Sequence, residues 1–178
     1  MRPLISESEI QQGVAALAEK ISAEYRDRPL LVLGVLTGSI VLLADLIRRI
    51  DLPLRVGLIQ ASSYRGETTH GGELRVNEAW LPEMANRDVL LLDDIFDTGR
   101  TLERLLEQVR GLNPRSVRSA VLLWKEGRQR VSLNPDYHCF RIPDVFVVGY
   151  GLDYNDEYRQ LPFIAALEPE DINPCDSP

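Results

Sequence analysis

With 178 residues, 44% hydrophobic and 26% charged, the chain has the make-up of one globular domain, long enough to bury about 70% of the surface its unfolded form exposes. Its net charge of −7 argues against nonspecific nucleic-acid binding, and Lys20 and Lys125 are the only lysines, so an anionic ligand must be met by arginines or backbone N–H groups. Cys139 and Cys175 lack paired spacing and His70 and His138 stand apart, which excludes a disulfide framework or a clustered metal site and fits a reducing cytoplasm.

Ser6-Glu7-Ser8-Glu9 is a capping-box start, and Ile10, Val14, Leu17 and Ile21 mark one face of a helix ending near Tyr25. Leu30 to Leu36 reads as a buried strand and Ser39 to Ile50 as the following helix, so Thr37-Gly38 is a strand-to-helix turn and a possible anion site. Pro29 to Ala44, the longest uncharged run, is shorter than the ~20 residues a membrane span needs, and no signal peptide is expected before it. Arg55 to Tyr64 is the next strand. The polar, glycine-bearing stretch Arg65 to Glu78 then reads as an active-site lid with Ser63-Tyr64 at its root, although Tyr64 is equally a strand-end packing residue.

Val89 to Leu102 is the stretch around which the chain is organised. Val89 to Leu92 is an all-apolar strand covered on both faces, and Asp93-Asp94 end it. Adjacent strand residues point to opposite faces, so only one of these aspartates follows the apolar side chains inward unless the strand opens into a site. Asp97-Thr98-Gly99-Arg100-Thr101 is a second turn, and Leu102, Leu105, Leu106, Val109 and Leu112 carry the spacing of a helix face. Such a turn gathers backbone N–H groups at the positive end of a helix dipole. Gly99 admits close approach, Thr98 and Thr101 add hydroxyls, and Arg100 adds charge. The carboxylates upstream suit ribose hydroxyls, a metal ion or a proton, so the combination points to a phosphorylated sugar. The plainer reading of the pentapeptide is an aspartate-capped helix after an ordinary strand.

Gly111 and Asn113-Pro114 stop this helix, and Ser116 to Trp124 is a further strand ending at Lys125, which is a solvated loop charge unless the carboxyl end of a parallel α/β sheet turns it toward a ligand crevice. Ile142-Pro143-Asp144 leads into Val145 to Gly151 and then Leu152 to Arg159. Phe146 offers a ring face to a flat base unless it is a core residue, and the backbone near Val147 offers a donor and an acceptor. Leu161 to Leu167 reads as a last strand before a polar tail.

The Val89–Leu102 stretch closely resembles the phosphoribosyl-pyrophosphate motif of type I phosphoribosyltransferases. Leu36-Thr37-Gly38-Ser39, Ser63-Tyr64, Lys125 and Phe146 to Tyr154 resemble the further landmarks of the hypoxanthine-guanine branch, in the same order. The resemblance implies an α/β fold with a mostly parallel sheet flanked by helices, as one domain over 1–178 whose small hood is built from the N-terminal segment and about 137–178. It implies transfer of the phosphoribosyl group from phosphoribosyl pyrophosphate to hypoxanthine or guanine. Asp97 would take the N7 proton. Phe146 and Val147 would form the purine slot, with Lys125 on the 6-oxygen. Thr98 to Thr101 would hold the 5′-phosphate, and Asp93 and Asp94 would lie by the ribose hydroxyls. Mg2+ would be supported by Asp153 with Asp93 and Asp94, Arg159 would reach pyrophosphate, and Ser63 and Tyr64 would complete the site. The family's pyrophosphate loop, often built on a cis peptide, has a lysine where this chain has Thr37, which removes one cation beside Gly38. A homodimer or homotetramer is also implied. The alternative is an RNA-binding regulator on the same fold, like the pyrimidine-operon attenuators. The acidic charge, Asp97 and the Phe146 to Asp153 stretch oppose it.

Overall fold

The computed structural model describes residues 1–60, 62–63, 74–75, 81–168 and 170–171. Its elements are β1 (Arg2–Ile5), α1 (Glu7–Glu24), β2 (Leu30–Leu36), α2 (Ile40–Ile47), β3 (Leu54–Gln60), β4 (Ser62–Ser63), β5 (Leu74–Arg75), β6 (Asp88–Phe96), α3 (Arg100–Gly111), β7 (Ser116–Lys125), β8 (Tyr137–Ile142), β9 (Val147–Val148) and β10 (Ile164–Ala166). Five strands form a central sheet in the order β3-β2-β6-β7-β8, every neighbouring pair parallel. A second, antiparallel sheet joins the chain's first strand to its last in the order β1-β10-β9.

The alternation of the strands explains the layers. Val32, Leu90, Leu92 and Leu122 face one core with Ile10, Val14, Leu17 and Ile21 of α1 and Leu42 and Leu46 of α2. Leu31, Leu33, Val89, Leu91 and Val121 face the other, with Leu102, Leu105, Leu106 and Val109 of α3. A sheet buried on both faces needs apolar residues at both parities, which is why β2 and the start of β6 read as unbroken apolar runs. Each such side chain contributes about 1.5–3 kcal/mol by leaving water. The helix entry is as the capping box demands: Ser6 Oγ accepts from Glu9 N at 3.3 Å and Glu9 Oε2 accepts from Ser6 N at 2.8 Å.

Several boundaries differ from the sequence reading. Asp93-Asp94 do not end β6, which runs on to Phe96 because its partner β7 is long enough to keep pairing, with Asp93 opposite Val121 and Phe96 opposite Trp124. The second helix stops at Ile47 instead of Ile50, since Arg48 is already its C-cap. The last strand is Ile164–Ala166 and not Leu161 to Leu167, and the short strand Val147–Val148 is followed by Gly149, Tyr150 and Gly151 at φ of 98°, 50° and 102°, which turns the chain out of extended geometry. The unforeseen β1 contains a proline, carries no clean alternation and lies at a sheet edge, where proline is tolerated.

At the amino-terminal edge of the central sheet the buried Asp88 is gripped by Arg28, whose Nη2 and Nε donate to Oδ1 and Oδ2 at 2.6 and 3.0 Å, and by the Ser116 hydroxyl. Burial pushes this carboxyl up, but these hydrogen bonds outweigh it and hold Asp88 below the usual carboxylate range. The opposite, carboxyl edge carries the site.

Candidate active site

β2, β6 and β7 deliver their carboxyl ends to one crevice. Parity sends Asp94 toward the α2 side and Asp93 toward the α3 side. The Leu36–Thr37 peptide is cis, and Gly38 follows. A Cβ on Gly38 would lie 1.6 Å from Asp94 Oδ2, so the loop's backbone lies directly against that carboxylate. Ser39 turns its hydroxyl back to Val35 O at 2.6 Å and does not cap α2.

The turn at Gly149–Leu152 completes this side. A Cβ on Gly151 would lie 2.2 Å from Gly38 O. Tyr150 donates its hydroxyl to Asp45 Oδ2 of α2 at 2.7 Å. Arg159 Nη1 donates to Gly151 O at 2.8 Å, and Nη2 meets Asp153 Oδ1 at 2.8 Å and Asp156 Oδ1 at 3.1 Å. Three separate stretches of the chain, at Gly38, at Asp94 and from Gly151 through Asp153 to Arg159, are thereby brought together.

Asp93 is 8% exposed, and its Oδ1 accepts the Asp94 N–H at 3.0 Å. Burial raises both carboxyls, Asp93 further because Asp94's charge stands beside it, while the Arg159 cation works against the rise at Asp94. Two crowded carboxylates of this kind favour a cation, a proton or hydroxyl donors in front of them.

The expected strand-to-helix turn forms between β6 and α3. Gly99 is the N-cap of α3 at φ 84°, and a Cβ there would lie 2.4 Å from Val131 and 2.8 Å from the Phe96 ring, so both conformation and space demand glycine. No side chain caps α3 at its start, the condition an anion-binding helix N-terminus requires, with Arg100 and Thr101 exposed and Thr98 half-buried. Arg130 N donates to Thr98 O at 2.9 Å, which fastens the segment after β7 onto this turn.

Asp97 lies in an ion-pair cluster. Lys125, 8% exposed at the end of β7, places Nζ 3.6 Å from Asp97 Oδ2 and 4.0 Å from Asp144 Oδ1. Arg128 Nε donates to Asp97 Oδ1 at 2.9 Å, and its Nη1 to Asp144 Oδ2 at 3.3 Å. Arg128 and Asp144 were not anticipated as site residues: they sit in loops, beyond the positive-φ Gly127 and after Pro143, and no local pattern marks either. Phe146 is 46% exposed with its ring edge-on to Tyr154 at 5.7 Å, so it is not a core phenylalanine. Val147 is buried on β9, an edge strand whose far side has no strand partner among the described residues.

Of the other expected site residues, Thr37 is exposed beside Gly38, and Ser63 lies in β4 paired with Leu74. Tyr64 and most of the lid stretch lie outside the described residues. Among the described residues no group of three His, Cys, Asp or Glu side chains encloses a metal by itself, and no helix is long and apolar enough to cross a membrane. A cavity of about 540 Å3 lies at the opposite edge of the sheet, lined by Arg26, Arg28, Asp51, Arg55 and Arg87 among others, and touches none of these groups.

An uncapped helix start, two crowded carboxylates and a lysine–aspartate pair along one crevice define a site for a phosphorylated sugar and a polar ring. A phosphoribosyl transferase domain model matches residues 6–155. The hypoxanthine-guanine phosphoribosyltransferase of Staphylococcus epidermidis is 40% identical over 167 residues, 94% of this chain and 93% of that protein. The bifunctional protein TilS/HprT of Listeria innocua is 41% identical over 167 residues, and this chain spans 26% of its length. The crystal structure of a hypoxanthine phosphoribosyltransferase from Staphylococcus aureus superposes with a TM-score of 0.89 at 37% identity, covering 95% of this chain and 92% of that one. The chain belongs to the phosphoribosyltransferase family, on its hypoxanthine-guanine branch.

Proposed function

We propose that this protein transfers the 5-phosphoribosyl group from phosphoribosyl pyrophosphate to hypoxanthine or guanine, giving the nucleoside 5′-monophosphate and pyrophosphate in purine salvage. The observation that carries the reading is the 3.6 Å separation of Lys125 Nζ from Asp97 Oδ2. On a 6-oxopurine the 6-oxygen and N7 share one edge, close enough that a single bidentate group spans both. A lysine donor beside a carboxylate acceptor matches that edge when N7 bears a proton. Adenine, with an amino group facing the lysine, is mismatched.

In this reading the α3 N-terminus and Thr98 to Thr101 hold the 5′-phosphate, Asp93 and Asp94 face the ribose hydroxyls, and Phe146 stacks on the base with the Val147 backbone at its edge. Thr37, Gly38 and Arg159 lie along the pyrophosphate. The bond from C1′ to pyrophosphate oxygen breaks as the N9 lone pair forms the new C–N bond, and the N7 proton passes to Asp97. Charge builds on the departing oxygens, and the Gly38 backbone and Arg159 are placed to meet it.

The donor set fits Mg2+ held in the manner usual for this ion, by one or two carboxylates together with substrate oxygens, since the crowded Asp93-Asp94 pair favours a cation and Asp153 stands close by through Arg159. When bound, Mg2+ would neutralise pyrophosphate and ribose oxygens. Cytoplasmic residence fits the free thiol of Cys139, and a homodimer or homotetramer is the expected assembly. Steady-state rates with hypoxanthine, guanine, xanthine and adenine at saturating phosphoribosyl pyrophosphate test the assignment. Turnover of 6-oxopurines and not of adenine is expected, and adenine as the preferred base would overturn it.

A further inference from the structure

Asp97, Lys125, Arg128 and Asp144 close a ring in which each cation meets both carboxylates through different oxygens. Lys125 takes Oδ2 of Asp97 and Oδ1 of Asp144, while Arg128 takes Oδ1 of Asp97 and Oδ2 of Asp144. The terminal torsion of an aspartate is broad and nearly two-fold, so an unheld carboxylate presents either oxygen over a wide arc. The planar guanidinium removes that freedom: with Oδ1 bound to Arg128 Nε at 2.9 Å, Oδ2 is the oxygen left beside the Lys125 ammonium. Asp144, holding Nη1 at 3.3 Å, keeps the guanidinium from swinging into solvent. The Arg128 side chain is 44% exposed and its partners 34% and 51%, so these pairs add little to folding stability, and orientation is what they supply.

We propose that Arg128, braced by Asp144, is a positioning residue that presents Oδ2 of Asp97 to the N7 proton of the bound purine. The proposal rests on the reading of Asp97 as the proton acceptor, and it adds a second sphere of control over where the acceptor atom stands. The family resemblance assigned no role to either Arg128 or Asp144.

Two unreactive analogues separate orientation from shape. The 9-deaza analogue of hypoxanthine keeps an N7 proton, whereas the 7-deaza analogue has carbon at that position. The measurement is the ratio of their inhibition constants against hypoxanthine in the nucleotide-forming assay. The parent protein should favour the 9-deaza analogue. Arg128→Ala should shrink that preference by roughly three- to tenfold, part of the ten- to hundredfold that a whole hydrogen bond to a charged group supplies, because the acceptor is misaimed and not removed. Arg128→Lys, able to pair with Asp97 but not to bridge both carboxylates, should lose less, and Asp144→Asn should act in the same direction as Arg128→Ala with a smaller loss. Asp97→Asn should lose most of the preference. If Asp97→Asn loses it while Arg128→Ala and Asp144→Asn keep the parent ratio, the positioning role is overturned and the acceptor stands. If Asp97→Asn keeps it, the acceptor reading falls and the proposal with it. Both loop variants sit on exposed side chains, so folding is not at stake.

Discussion

Gly38 has no room for even a methyl group because the carboxylate of Asp94 occupies its place, with Oδ2 1.6 Å from where a Cβ would stand. The loop after β2 and the end of β6 are therefore one fitted unit, and Gly151, packed on Gly38 O, is its third part. Gly38→Ala forces Asp94 to move, since the backbone carbonyl behind it cannot. The variant should remain folded, because the strain is relieved within the crevice, while kcat/KM for phosphoribosyl pyrophosphate falls at least tenfold, as about 1 Å of misplacement at a reacting centre typically costs ten- to a hundredfold. A steady-state titration of phosphoribosyl pyrophosphate checks this, and an unchanged kcat/KM would separate Gly38 and Asp94 from the reaction.

Lys125 divides its ammonium between Asp97 and Asp144, where the proposed mechanism needs a donor to the base. Lys125→Met keeps the stem and removes the donor to the 6-oxygen. KM for hypoxanthine should rise by about ten- to a hundredfold, from a lost charged hydrogen bond of about 1.5–3 kcal/mol, with KM for phosphoribosyl pyrophosphate much less affected. The reverse pattern would place Lys125 on the sugar-phosphate side.

The crowded Asp93-Asp94 pair makes an opposite prediction for stability and for activity. Both carboxyls are raised in the folded protein, so the fold binds their protons more tightly than the unfolded chain does. The resulting stability is present at low pH and is lost as pH rises from the unfolded value of about 3.9 through the raised folded values. Asp93→Asn removes one charge and supplies an amide donor for Asp94. Without ligand its Tm at neutral pH should rise by about 2–4 °C, the shift expected for about 1 kcal/mol in a chain of this size, while activity drops. Thermal denaturation of the ligand-free variant against the parent is the measurement, and a lowered Tm would contradict the crowding argument.

Asp88 carries the other sign. Its carboxyl is held below the usual range by Arg28 and Ser116, so its stabilisation is present above the unfolded value of about 3.9 and is lost as pH falls through the lower folded value. Arg28→Ala should cost about 1.5–3 kcal/mol at neutral pH, as lost hydrogen bonds to a buried charge do, and the difference from the parent should narrow below about pH 4. Urea unfolding at both pH values tests it. A deficit equal at both would mean that the loss is packing of Arg28 over Tyr25, whose ring it covers at 5.0 Å.

The sequence made the central architecture readable where local chemistry and long-range packing agree. β2 runs from Leu30 to Leu36 as its apolar block does, Ser6 and Glu9 cap α1, and Gly99 turns β6 into α3 with the positive φ its position requires. It fell short where the decisive partner is remote. Nothing in Asp93-Asp94 announces that β7 extends far enough to keep those residues in a ladder, and nothing in Arg2–Ile5 announces that Ala165 and Ala166 will pair with it. The site divides the same way: Asp97 and Lys125 stand on recognisable strand ends, whereas Arg128 and Asp144 join them from loops through ion pairs that leave no periodic trace.

Everything proposed about the base converges on Asp97. Asp97→Asn preserves the shape of the residue before the phosphate turn, and Gly99 rather than Asp97 caps α3, so fold and phosphate pocket should survive. The amide cannot take up the N7 proton. The most direct measurement is kcat of Asp97→Asn with hypoxanthine at saturating phosphoribosyl pyrophosphate: a loss of about 10²- to 10⁴-fold with KM for phosphoribosyl pyrophosphate little changed is predicted. A kcat within about threefold of the parent, far short of what loss of a general base costs, would contradict the account.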